Sequence, residues 1–224
     1  MKLSTETISV LKNFSTINSN LMVKAGSSLS TLSAQKNIVA KAEIAEKFPN
    51  DFAIYDLNEF LSDLSLFGKP DLEFNDDNTP GFVIITEEGI SDSLQYWFAA
   101  PEVVTKPSKD NSMPSTELKF SLSSETLDRI TKAAAVVGVP DMVLSDGQLM
   151  VTDKKNKNAN VFKTSVDVGN VNAKYKFWFK VENLKLMPGT YDVEVSSKKI
   201  SQFTNTKLGV QYWIALEPES SYEN

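Results

Sequence analysis

The run Gln95-Tyr96-Trp97-Phe98-Ala99-Ala100-Pro101-Glu102 recurs near the end of the chain as Gln211-Tyr212-Trp213-Ile214-Ala215-Leu216-Glu217-Pro218. The offset, 211 − 95 = 116 residues, is close to half of the 224-residue chain. Each copy is an apolar, aromatic-rich stretch closed by proline, the pattern of a strand with a stop. Earlier segments match in the same order. Ser4-Thr5-Glu6-Thr7-Ile8 aligns with Ser123-Ser124-Glu125-Thr126-Leu127, and Leu11 with Ile130. Met22-Val23 aligns with Met142-Val143, Gly26 with Gly147, and Asp71-Leu72-Glu73-Phe74 with Asp192-Val193-Glu194-Val195. A period this long constrains the chain to two like domains in tandem. Between the halves, Pro101 to Thr116 holds Pro101, Pro107 and Pro114 among Lys, Ser, Asp and Asn, the composition of a linker. The expected division is 1–101, a linker at 102–116, and 117–224.

Within each half the hydrophobic period alternates between 3.6 and 2. Ser4 to Ile17 reads as a helix capped by Ser4, with Ile8, Leu11, Phe14 and Ile17 inward and Lys12 as its one cation. Strands are expected at Leu21–Lys24 and Ile38–Glu46, with Gly26-Ser27-Ser28 as a turn between them. Phe52–Tyr55 reads as a strand, and Asp56 caps a helix from Leu57 to Phe67 whose outer face carries Glu59 and Asp63. Strands follow at Leu72–Phe74, Phe82–Thr86 and Leu94–Ala100. In the second half, strand Glu117–Leu122 precedes a helix from Ser124 to Val137, with Leu127, Ile130, Ala134 and Val137 inward. Strands are expected at Met142–Leu144, Gln148–Thr152, Asn160–Val168 and Lys174–Phe179. A short helix, Val181–Met187, then leads to strands at Tyr191–Ser196, Ser201–Thr204 and Leu208–Leu216. The order helix, strands, helix, strands in each half is α+β with a mostly antiparallel sheet.

The composition removes several kinds of chemistry. There is no cysteine, hence no disulfide or thiolate. There is no histidine, which excludes a Ser-His-Asp triad and disfavours zinc. Carboxylate-only chemistry stays open, but no constellation points to it, and the expectation is a protein that is not an enzyme and needs no cofactor. No apolar run is long enough to span a bilayer, and the first residues have no apolar signal core. Asp76, Asn78, Gly81 and Glu87 fall at EF-hand loop positions, but Pro80 stands where an oxygen ligand belongs, so the stretch reads as a polar turn and no metal is expected. Arg129, the single arginine, sits near Lys132 on a polar helix face; the plainer reading pairs it with Glu125, the sharper one with a phosphate. Tyr96-Trp97 and Tyr212-Trp213 offer stacking surfaces, but their apolar strands favour a core role.

Three phrases carry a resemblance to a known family. They are Lys12-Asn13-Phe14-Ser15-Thr16-Ile17-Asn18-Ser19, Ala53-Ile54-Tyr55-Asp56-Leu57-Asn58-Glu59-Phe60-Leu61, and Met187-Pro188-Gly189-Thr190-Tyr191. With the last strand, Tyr212–Glu217, they resemble the sliding clamps of T4-type bacteriophages, the DNA polymerase processivity factors. The resemblance implies the DNA-clamp fold, with antiparallel sheets outside and helices inside. It also implies a head-to-tail homotrimeric ring around duplex DNA in the cytoplasm of an infected bacterium. Implied partners are DNA polymerase, the clamp loader and late-transcription factors, with no membrane.

For the sites, the resemblance implies DNA-facing cations on or beside helix faces, here Lys12, Arg129, Lys132 and Lys185. It implies a subunit seam between Leu94–Ala100 and Asn160–Val168, placing Leu94, Tyr96, Phe98, Val161 and Phe162 there. A groove for partner peptides falls near Val103, Val104, Leu216 and Pro218. Net charge −6 is compatible, because an acidic rim can coexist with a positive hole. The rival reading is a duplicated β-rich structural or adhesion protein of a virion.

Overall fold

The computed structural model describes residues 1–75, 81–108 and 111–223. The chain divides into two compact units, Met1–Asp110 and Asn111–Asn224. Lys109 and Asp110, inside the expected linker, and Asp76 and Asn78 of the EF-hand-like spacing lie outside the described residues. Glu87, from the same spacing, accepts a hydrogen bond from the Gly68 amide.

The first unit runs α1 (Thr5–Ile17), β1 (Leu21–Val23), β2 (Gly26–Leu32), β3 (Ile38–Phe48), β4 (Phe52–Ile54), α2 (Leu57–Leu64), β5 (Asp71–Asn75), β6 (Phe82–Thr86) and β7 (Ser93–Trp97). The second runs β8 (Leu118–Leu122), α3 (Ser124–Val137), β9 (Asp141–Ser145), β10 (Gln148–Thr152), β11 (Phe162–Ser165), β12 (Lys174–Lys180), a 3-10 turn (Val181–Asn183), β13 (Tyr191–Ser196), β14 (Ile200–Asn205), β15 (Val210–Ala215) and β16 (Ser221–Glu223). The repeat is visible element by element. The sequence-matched segments form the outer strands of two antiparallel meanders, β5-β6-β7 and β13-β14-β15. Strand β8 pairs with β13, and its counterpart in the first unit is a bridge from Lys2 to Asp71 on β5. Likewise β1 pairs with β4, and β9 with β12.

The helices begin where the sequence provides caps. Ser4 accepts from the Thr7 amide and Ser123 from the Thr126 amide, the same bond in both copies. Asp56 accepts from the amides of Asn58 and Glu59. Such caps satisfy donors that the first turn leaves without partners. The expected fourth helix, Val181–Met187, does not form and only the 3-10 turn remains. Its N-cap position is Lys180, whose ammonium has no acceptor to offer the first-turn amides and pairs with Asp141 instead, and Pro188 follows closely.

Other expectations need correction. Gly26-Ser27-Ser28 opens strand β2 rather than forming a turn, with a register shift between Gly26 and Ser28. Its Ser- and Thr-rich composition hid a strand that buries only Leu29 and Thr31. Helix α2 ends at Leu64, not Phe67, leaving Leu66 exposed. On α1 the buried face is Thr7, Val10, Leu11, Phe14 and Ile17, with Ile8 only half-buried. Thr7 buries because Glu46 on β3 accepts from its hydroxyl. Val137 is half-buried, and β11 is shorter than Asn160–Val168.

Each unit has its own apolar core. Phe48, Phe52, Phe74 and Phe98 form a cluster of rings in the first, with Phe52 and Phe98 stacked at 4.4 Å. In the second, Tyr191 and Tyr212 are fully buried, and the Tyr212 hydroxyl accepts from the Met187 amide while Tyr191 donates to the Met187 carbonyl. The phrase Met187-Pro188-Gly189-Thr190-Tyr191 is thus a packing device. Gly189 has φ 150°, and a Cβ there would lie 2.5 Å from Asn205 Nδ2.

Candidate nucleic-acid interface

A protein that holds a duplex without reading it needs cations on rigid elements, unpaired and open to solvent. Lys12 meets that description on α1. It is exposed on a stripe with Thr5, Ser9 and Thr16, opposite the buried face. The hydroxyls of Ser9, Ser15 and Thr16 donate back to carbonyls of their own helix, and Lys12 is the one charged residue among Thr5, Ser9, Lys12 and Thr16. Arg129 and Lys132 are exposed on α3, whose inward side packs on β10 and β11. Among the described residues Arg129 forms no ion pair, and the expected pairing with Glu125 is not made. Arg129 and Lys132 lie three residues apart, so their heads share one face, which also carries Glu125 and the 79%-exposed Val136. Lys185 is half-buried in irregular backbone after the 3-10 turn, since the helix expected to present it is absent.

The outer face of α2 has the opposite sign. Glu59 is exposed and Asp63 half-buried, and burial raises the Asp63 carboxyl above its ordinary value. The Tyr96 hydroxyl packs beside them and is pushed up to about 12, first by burial, then by the charges of Glu59, Asp56 and Asp63. Charge is unevenly divided along the chain as well. Residues 1–110 hold nine Lys against sixteen Asp and Glu, whereas residues 111–224 hold fourteen Lys and Arg against thirteen. The acidic excess therefore belongs to the first unit.

The residues expected at a subunit seam separate into two groups. Tyr96 and Phe98 are buried in the first unit, and Leu94 is half-buried; the Phe98 amide donates to the Gly81 carbonyl, so by antiparallel alternation the main-chain groups of Leu94, Tyr96 and Phe98 face β6, and those of Gln95 and Trp97 face the edge. Their neighbour Trp97 points the other way, 54% exposed, with its ring 5.0 Å from Phe82. Strict alternation from Tyr96 inward signals this orientation in the sequence. Val161 is 56% exposed and Phe162 half-buried. Among the described residues β7 pairs only with β6, and β11 only with β10, so both are edge strands. Of the expected groove residues, Val103 and Pro218 are exposed. Val104 packs on Met22, Ala53 and Ala99, and Leu216 is buried with its amide bonded to the Lys199 carbonyl.

Comparisons with known proteins agree with this architecture. Residues 4–86 match the family model for DNA polymerase processivity factor, and residues 119–218 match gp45 sliding clamp, C terminal. The sliding clamp of Vibrio phage KVP40 is 35% identical over 227 residues, covering 97% of this chain and 99% of the relative. The sliding clamp of Enterobacteria phage T4 is 27% identical, with full coverage of both chains. Among solved structures, the PCNA2–PCNA3 complex of Sulfolobus tokodaii aligns with a TM-score of 0.70 at 12% identity, covering 98% of this chain and 100% of the other. PCNA of Thermococcus kodakaraensis aligns with a TM-score of 0.67 at 13% identity, covering 97% and 99%. The structural matches establish the clamp fold. Together with the end-to-end identity to the KVP40 protein, they place the conclusion beyond the fold: the chain belongs to the sliding-clamp family, the DNA polymerase processivity factors of T4-type bacteriophages.

Proposed function

We propose that three copies of this chain close head to tail into a ring that encircles duplex DNA and tethers the replicative polymerase. The carrying observation is the pair of unmatched edges on a chain written twice. β7 ends one sheet of the first unit and β11 one sheet of the second. Unlike edges can pair heterologously, and such contacts close into a ring when the rotation permits. Apolar edges also need a cover, because a bare one invites aggregation. Trp97 and Val161 stand exposed on or beside those edges and would cover one another at the seam, with the outward main-chain groups of Gln95 and Trp97 on one edge and of Lys163 and Ser165 on the other supplying the ladder, while Leu94, Tyr96, Phe98 and Phe162 support it from within.

In this reading Lys12, Arg129, Lys132 and Lys185 face the duplex. Their field is weak, because the helices also carry Glu59, Asp63, Glu125 and Asp128. Weakness suits a clamp: enclosure prevents escape, and sparse contacts leave the ring free to slide. Polymerase, clamp loader and late-transcription factors dock through short apolar segments; of the residues expected to receive them, Val103 in the first unit and Pro218 in the second are exposed, and Val104 and Leu216 are buried. The chain performs no chemistry and works in the cytoplasm of the infected cell. Native mass measurement tests the assembly. A species at three times 24.8 kDa at micromolar concentration is expected, and a monomer at every concentration would overturn the ring.

A further inference from the structure

Strand β12 is held on one side by β9, which pairs with Phe177–Lys180. Along its other side runs the chain's own segment after β15. The Glu217 amide donates to the Trp178 carbonyl at 2.8 Å, and the Trp178 amide donates to Ser220 Oγ at 2.9 Å. Three ladder positions follow, Lys176 with Ser221, Tyr175 with Tyr222 and Lys174 with Glu223. The root of this segment is firmly held. Lys154 Nζ lies 2.9 Å from both Glu217 and Glu219, with its side chain 12% exposed, and the Lys154 amide donates to Asp141. The tip is held lightly. Ser221 and Glu223 are exposed, and Tyr222 is half-buried with its ring stacked 6.3 Å from Phe177.

We propose that the outer edge of β12 is a docking strand for a partner protein's extended acidic–aromatic segment, and that residues 217–223 occupy this edge as a displaceable placeholder. The occupant's chemistry is read from the placeholder itself. An extended main chain completes the ladder, as in β-strand addition. One aromatic side chain stacks on Phe177. Acidic residues meet Lys154 at the root, as Glu217 and Glu219 do, and another stands opposite the exposed Lys174, as Glu223 does, with the Lys176 ammonium nearby over the Trp178 ring. A partner segment of this pattern makes every contact the placeholder makes. This surface is separate from the edges assigned to ring closure, so it stands or falls independently of the trimer.

The test uses two proteins, the intact chain and a chain stopped after Leu216. The probe is a fluorescein-labelled peptide with the sequence of residues 217–224. Anisotropy should show binding to the truncated chain about tenfold tighter or more, since an edge free only a tenth of the time weakens apparent affinity by that factor. A second peptide, Asp-Pro-Asp-Thr-Thr-Phe-Asp-Gln, keeps the pattern with different residues and should bind comparably. The double variant Lys174→Glu, Lys176→Glu in the truncated chain should weaken both peptides. Equal binding to both proteins, or failure of the second peptide, would overturn the proposal. Hydrogen exchange on the intact chain covers the case in which the truncated chain does not fold. Amides of residues 221–223 should exchange faster than those of Phe177–Lys180, and equal protection would show that the segment never lifts.

Discussion

Glu46, on β3, joins that strand to the start of α1. Its carboxylate accepts from the Ser4 amide and from the Thr7 hydroxyl. Burial works against its ionisation, but the bonds from Thr7 and Ser4 outweigh it and hold the carboxyl below its ordinary value of 4.5. Glu117 behaves alike: burial opposes ionisation, and bonds from Ser197 and Ser115 prevail. A carboxyl depressed on folding contributes stability that is fully present above its unfolded value. That contribution is lost as pH falls through the folded value. Glu46→Gln should therefore lower Tm at pH 7, and the gap to the parent should narrow as pH drops from 4.5 toward 3. A gap that stays constant across that range would show that the carboxylate's charge plays no part. In the proposed ring, the cations expected to face DNA would act collectively. Each neutralised phosphate contributes about 0.9 to the salt slope of binding, and a sliding duplex would touch each cation only part of the time. Single Ala substitutions at Lys12, Arg129, Lys132 and Lys185 should leave polymerase processivity near that of the parent. The fourfold variant should lower processivity and flatten the salt dependence of loading; undiminished processivity would remove these residues from the hole.

Secondary-structure elements were readable where a local device announces them. Ser4, Asp56 and Ser123 mark helix starts, and the matched aromatic runs mark β7 and β15. Elements built by distant contacts were hidden. Strand β2 shows little apolar alternation, because Thr31 takes a buried position where an apolar residue is expected. Strand β16 has no apolar run and exists because β12 offers it an edge. The fourth helix failed for want of a cap, although its Val181, Leu184 and Met187 spacing is helical. The cationic site suffered accordingly: faces of α1 and α3 were legible, whereas the setting of Lys185 was not. The expected seam was half legible: both edge strands were identified, but Tyr96 and Phe98, expected there, turn inward and leave Trp97 exposed. At this scale the prediction concerns Trp97 and Val161. Trp97→Glu and Val161→Glu should each leave a folded chain, because both side chains are exposed, and each should shift the native mass toward the monomer. In the parent, Trp97 fluorescence should move to shorter wavelength as concentration rises through assembly. Trimeric Glu variants would place the seam elsewhere.

The whole molecule is one unit used twice and then made unequal. The hydrogen bond from Ser4 to Thr7 and its copy from Ser123 to Thr126 show how closely the local design was retained. Charge was not retained, and the first unit carries the acidic excess. A ring made from such chains would alternate acidic and near-neutral units around its circumference. Its hold on DNA would then depend on enclosure rather than on net attraction. The most direct test is retention on DNA of different topology. The clamp should be loaded by its loader and ATP onto nicked circular duplex and onto the same duplex linearised, then challenged by gel filtration in moderate salt. Encirclement predicts that the protein stays with the circle and is lost from the linear form, and that blocking both linear ends restores retention. Equal retention on circular and open linear DNA would contradict it and leave ordinary electrostatic binding as the explanation.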